Sequence, residues 1–149
     1  MSASLFDTNV WLAALFPNHP CHSTAQRALQ QATRAQPAMW CRATQQSFLR
    51  LASTPTLHHA YDAKGTTNRD ALLAMDTLQA LPQVGLLEEP SGTLALWRTL
   101  AGLESASPKV WMDAYLAAFA IAGGLRMVTL DRDFKNFVPQ GLNLDLLNT

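Results

Sequence analysis

Short apolar runs alternate along this chain with longer stretches whose apolar residues recur at helical spacing. Ser4 to Phe6 reads as a short first strand, and Thr8 to Phe16 as a helix that Asp7 is positioned to cap. Pro17-Asn18-His19-Pro20 breaks that helix. A second runs from about Pro20 to Thr33, with the proline in its first turn and Ala25, Ala28, Leu29 and Ala32 on its apolar face. Pro37 to Cys41 is the next strand and Thr44 to Ala52 the next helix, followed by a loop from Ser53 to Gly65 that holds Pro55 and His58-His59. Asn68 to Leu81 returns to helix through Leu72, Leu73, Met75, Leu78 and Leu81, and Pro82 ends it. Val84 to Leu87 is a weak strand and Gly92 to Leu103 a helix. Ser107-Pro108 then opens an apolar helix, in the order of cap followed by proline, and Gly123-Gly124 stops it. Arg126 to Leu130 is a strand, and Leu142 to Leu147 a last one.

Strands alternating with helices predict an α/β fold with an open, mainly parallel sheet covered on both faces. Such sheets place their sites at the carboxyl ends of the strands. Asp7 and Asp131 each stand at such an end, so they share one crevice if their strands are neighbours.

Composition narrows the classes. The 149 residues suit one domain, residues 1–149. A chain that is 48% hydrophobic and 15% charged buries a real core and is not disordered. No apolar stretch reaches the roughly 18 residues of a membrane span, and the N-terminus does not read as a secretory signal; a cytoplasmic location off the membrane is expected. Cys21 and Cys41 alone make no disulfide framework. A net charge of zero excludes a wholly basic surface but leaves room for a local basic patch.

Asp7, taken singly, reads first as a helix cap, and Asp131 equally as a turn residue or a cap. Asp113 is the only charged residue in the apolar run Val110 to Ala122, and an unpaired carboxylate there is costly to bury. Lys109, four residues before it, is one candidate partner; a cation is another. Carboxylates gathered together repel and raise each other's pKa unless a cation intervenes. Mg²⁺ and Mn²⁺ take oxygen ligands and keep waters. Together with the lack of an obvious activated serine or cysteine nucleophile, this points to metal-dependent phosphodiester hydrolysis.

Three segments, in this order, resemble the acidic motifs of PIN-domain ribonucleases, and those of VapC-type toxins of bacterial toxin–antitoxin pairs in particular. They are Leu5-Phe6-Asp7-Thr8-Asn9-Val10, Trp111-Met112-Asp113-Ala114-Tyr115-Leu116-Ala117 and Val128-Thr129-Leu130-Asp131-Arg132-Asp133-Phe134. The resemblance spans essentially the whole chain. It implies a three-layer α/β/α sandwich, a Mg²⁺ or Mn²⁺ site on Asp7, Asp113 and Asp131, endonucleolytic cleavage of RNA, homodimers, and inhibition by a cognate VapB-type antitoxin. One position departs from the pattern. Where the family usually carries a glutamate on the helix after the second strand, Cys41-Arg42-Ala43-Thr44-Gln45-Gln46-Ser47-Phe48-Leu49-Arg50 places Gln45, a weak ligand without charge. Gln45→Glu is therefore expected to keep or raise metal affinity. Asp133 is either a replacement for the lost charge or a solvated turn residue.

Around these residues, Thr8, Asn9, Thr129 and Arg50 are candidates for contacting substrate or a metal-bound water. Thr129 points to the same side as Asp131, two positions on. Arg42, Arg132 and Lys135 are further phosphate candidates. His19-Pro20-Cys21-His22 has poor spacing for zinc and no second ligand pair, and more plausibly flanks a helix start at a partner surface. The competing function is a catalytically weakened PIN-like module that binds RNA or protein, which Gln45 favours. A phosphatase of the haloacid-dehalogenase type needs a second acid where this chain has Asn9.

Overall fold

In the computed structural model, which describes residues 3–148, five short strands make one all-parallel sheet. They are β1 (Ser4–Phe6), β2 (Ala38–Trp40), β3 (Val84–Leu86), β4 (Arg126–Thr129) and β5 (Asn143–Leu146), in the order β3-β2-β1-β4-β5. Adjacent residues of a strand face opposite sides, and the register pairs Leu5 with Met127 and Phe6 with Val128. Phe6 and Val128 accordingly belong to one buried cluster, Leu5 and Met127 to another.

The first cluster is roofed by α1 (Thr8–Leu15), α2 (His22–Gln31), α3 (Arg42–Ala52) and α5 (Asn68–Gln79) through Trp11, Leu29, Phe48 and Met75. Its centre is a stacked pair, Trp11 on Trp40 at 4.2 Å, with Phe48 edge-on to Trp40. Trp11 and Trp40 are fully buried and have no surface to offer a base. The second cluster is covered by α6 (Thr93–Ala101), α7 (Val110–Ala122) and a 3-10 helix (Arg132–Gln140), with Leu100, Phe119, Phe134 and Phe137 inside. This is the expected α/β/α sandwich. No helix among the described residues is long and apolar enough to cross a membrane.

The expected loop from Ser53 to Gly65 contains a helix, α4 (Pro55–Ala60). Six residues show no periodicity, and the anchor is polar. His58 is buried; its Nε2–H donates to the carbonyl of Ala52 at 2.6 Å and its Nδ1 accepts from the amide of Thr66 at 3.3 Å. Other boundaries shift by a residue or two. Pro20 lies outside α2, whose cap is Cys21, and α7 begins at Val110, beyond Ser107-Pro108. Thr44 does not open α3 but sits one turn inside, bonded back to the amide and carbonyl of Cys41.

Winding outward from β1 through β2 to β3, and then from β4 to β5 on the other side, leaves a switch point between β1 and β4. Chains leave the two strands in opposite directions there, opening a crevice at their carboxyl ends.

Candidate active site

Asp7 follows β1 directly and caps α1. Its Oδ1 accepts the amide of Thr8 at 2.7 Å, and its Oδ2 accepts the hydroxyl of Thr129 at 2.7 Å. Thr129 ends β4 and is fully buried; its oxygen also accepts the amide of Asp131 at 3.0 Å and the side-chain amide of Asn9 at 3.4 Å. Asn9 in turn accepts the amide of Leu130 at 3.3 Å. One hydroxyl thus fastens the residues after β1 to those after β4. Asp131 caps the 3-10 helix, accepting the amide of Asp133 at 2.9 Å. The cap readings of Asp7 and Asp131 are both correct as geometry, and each carboxylate still faces the crevice's shared field.

That field is acidic. Burial pushes the Asp7 carboxyl up to about 6 against the pull of the Thr129 and Thr8 hydrogen bonds, and Asp131 adds to the rise. Asp113, half-buried in the first turn of α7, is also raised to about 6, by burial first and then by the charges of Asp131, Asp7 and Asp133. Lys109 is not among the groups that set it, so the ion-pair explanation of Asp113 fails. Asp133 is exposed at its turn, as its solvated reading requires, yet its charge reaches Asp113. Among the described residues no three acidic, histidine or cysteine side chains form a ready-made ion cage. The uncompensated oxygen donors fit a hard divalent cation, which would relieve the repulsion that lifts Asp7 and Asp113.

Gln45 behaves differently from a ligand. It is buried; its Oε1 accepts the Arg42 guanidinium at 2.6 Å and its Nε2 donates to Gln79 Oε1 at 2.5 Å. A glutamate there would meet Arg42 first, which removes the ground for expecting Gln45→Glu to raise metal affinity. Arg50 also departs from expectation. Five residues after Gln45 is a rotation of about 140° around a helix, and Arg50 lines a separate recess with Leu49, Ser53, Asn68 and Ala71 between α3 and α5. Gln79 and the buried Cys41, whose thiol is pushed up by burial and further by the charge of Asp7, are neighbours of the site that sequence reasoning missed. Gln79 is 34 residues from its partner, so no local signal marks it.

The Thr129 junction makes a prediction. Thr129→Val leaves the amide of Asp131 and the carboxylate of Asp7 without the hydroxyl, and about 1–3 kcal/mol of folding stability is expected to be lost. Urea unfolding at neutral pH checks it; an unchanged midpoint would show that the junction is not structural.

A sheet switch point flanked by aspartates of this order defines a class, and comparison with known proteins agrees. Residues 4–138 match the PIN domain. Ribonuclease VapC41 of Mycobacterium tuberculosis is 42% identical over 144 residues, 96% of this chain and 97% of the relative. Ribonuclease VapC31 of the same organism is 31% identical over 134 residues, covering 89% and 92%. Among solved structures, VapBC2 from Rickettsia felis bound to a promoter DNA fragment superposes with a TM-score of 0.68 at 16% identity, over 99% of this chain and 100% of that one. Mycobacterium tuberculosis VapC20, described as a sarcin-ricin loop cleaving toxin, gives 0.60 at 18% identity over 94% and 96%. At such identities the structures speak for the fold. The chain belongs to the PIN-domain family, in its VapC-type branch.

Proposed function

We propose that this protein is the toxin endoribonuclease of a toxin–antitoxin pair, hydrolysing RNA phosphodiester bonds with a divalent cation, Mg²⁺ or Mn²⁺, held by Asp7, Asp113 and Asp131. The observation that carries the reading is the pair of carboxylates raised to about 6 beside Asp131, with no cation among the groups acting on them. A bound cation would orient the phosphate, make a water more nucleophilic and stabilise the leaving oxygen. The chain's own part is positional. Thr129 and the amide of Thr8 hold the two oxygens of Asp7, and Asn9 latches onto Leu130. Asn9, whose side-chain amide is engaged with Thr129 and Leu130, acts on substrate through the residues it holds, and Thr8 holds Asp7 through its backbone amide.

The weakened-module reading rests on Gln45, which adds no charge. Asp133 supplies a fourth carboxylate to the field at Asp113, and this favours the active enzyme. The VapB-type antitoxin is supported by the structural neighbours, two of which are VapBC structures. A homodimer in the cytoplasm completes the proposal. Exposed Leu94 on α6 and Trp111 and Met112 on α7 offer apolar area to a second copy.

The test is cleavage of total RNA by the purified protein with Mg²⁺ or Mn²⁺, wild type against Asp7→Ala. Metal-dependent cleavage that Asp7→Ala abolishes is expected. No cleavage of any RNA, or cleavage indifferent to Asp7→Ala, overturns the reading.

A further inference from the structure

We infer that Arg42 is a phosphate clamp beside the acidic site, and that Gln45 is the residue that positions it. The inference rests on the nuclease reading for its substrate, an RNA strand crossing the carboxyl edge of the sheet.

The register of β1 against β2 pairs Ser4 with Ala38 and Leu5 with Met39. Extended two residues, it sets Asp7 beside Cys41, and the charge of Asp7 does reach the Cys41 thiol. Arg42 follows directly. It therefore stands one strand over from the end of β1, a lateral step of about 4.8 Å, on the side away from Asp131. A phosphodiester chain held at Asp7 and Asp131 would pass a neighbouring phosphate over it.

Arg42 is poorly placed for a structural task. It occupies the first turn of α3, where the helix dipole disfavours a cation and where α3 has no acidic residue. Its side chain is exposed, and its partner is a neutral carboxamide. Glu88 and Glu89 line the same small recess, where Glu89 Oε1 accepts the Tyr115 hydroxyl at 2.6 Å, and the hydrogen bond that Arg42 makes is to Gln45. Gln45 is the opposite case. It is buried and braced across to α5 by Gln79. A rigid, buried amide holding an exposed guanidinium in an unfavourable place is the arrangement of a preorganised anion contact. Arginine presents a fork of donors that suits phosphate oxygens, and one nitrogen bound to Gln45 leaves the others free.

The test uses the full chain and a fluorescein-labelled single-stranded RNA of random sequence. Binding is followed against salt in EDTA, and kcat and KM are taken from cleavage in Mn²⁺. Arg42→Gln is expected to raise KM about tenfold at unchanged kcat, the weight of one charge-assisted contact. It should also reduce the slope of log affinity against log salt by about 0.7, with no loss of Tm. Gln45→Leu is expected to raise KM less and to leave the slope intact, because the charge remains. The double variant should be no worse than Arg42→Gln alone, since both changes act on one contact. Arg42→Lys, which keeps the positive charge at an exposed position, should keep the slope and recover part of the affinity.

Unchanged KM and slope in Arg42→Gln, with cleavage still abolished by Asp7→Ala, overturn the clamp and leave the nuclease. An Arg42-dependent slope in a protein that cleaves nothing overturns the nuclease and supports the clamp. Additive losses in the double variant overturn the positioning role of Gln45. A wild type that neither binds RNA in EDTA nor cleaves it in Mn²⁺ overturns both readings.

Discussion

Asp7→Asn is expected to lower metal-dependent RNA cleavage by about a hundredfold or more and, in metal-free protein at pH 8, to raise Tm. The two effects have one cause. Burial lifts the Asp7 carboxyl from 3.8 to about 6, so the folded protein binds this proton more tightly than the unfolded chain does. For an acid with a raised pKa, stability falls as pH climbs from the unfolded value towards the folded one, and the whole penalty is present above it. Two units correspond to about 3 kcal/mol. Asparagine removes that penalty but gives Thr129 a weaker acceptor, at a cost of about 1 kcal/mol. A net gain of about 1–2 kcal/mol, or roughly 4 °C, should remain. Calorimetry at pH 8 and at pH 4 checks it. The gain should vanish at pH 4, where the folded wild type is protonated at this position and the unfolded chain, close to its value of 3.8, is about half protonated, so that little of the penalty remains. A lower Tm for the variant at pH 8 would mean that the buried charge is already compensated.

Metal binding should carry the same signature in reverse. Mn²⁺ added at pH 8 is expected to raise Tm, because it binds the folded chain and relieves the repulsion between carboxylates. Asp7 and Asp113 must both be ionised to hold it, and both are raised to about 6, each by burial first. Lowering the pH from 7 to 5 across such a value weakens binding about tenfold for every proton that must be displaced. Asp7, the more deeply buried, sets the minimum of one proton. The half-buried Asp113 contributes up to a second, screened in part by solvent. Titration calorimetry across this range, in buffers of different ionisation enthalpy, gives both the affinity and the protons released. A response flat from pH 5 to 8 would remove Asp7 and Asp113 from the ligand set.

Much of this site was legible because its signals are local. An aspartate one residue beyond an apolar strand is the same pattern at Asp7 and at Asp131, and in a parallel sheet it has one place to go. Asp113 announced itself by contrast, as a lone charge on an apolar helix. The loop containing α4 was misread because its anchor is His58, a polar residue whose partners, Ala52 and Thr66, are backbone groups. Arg50, a candidate for substrate contact in the sequence, lines the recess between α3 and α5 instead, because the helical turn carries it there.

What the sequence alone determined is the succession of strands and helices and the ends at which the aspartates sit, since alternation, caps and breakers act within a few residues of each other. It also determined that Gln45 brings no charge. What each of these residues does was decided by tertiary structure. Thr129 reaches Asp7 across 122 residues and Gln45 reaches Gln79 across 34, and only packing brings such partners together. A hydrogen bond needs its two groups at one distance and angle, and for residues on separate strands and helices that geometry exists only after the sheet has closed its register and the helices have docked.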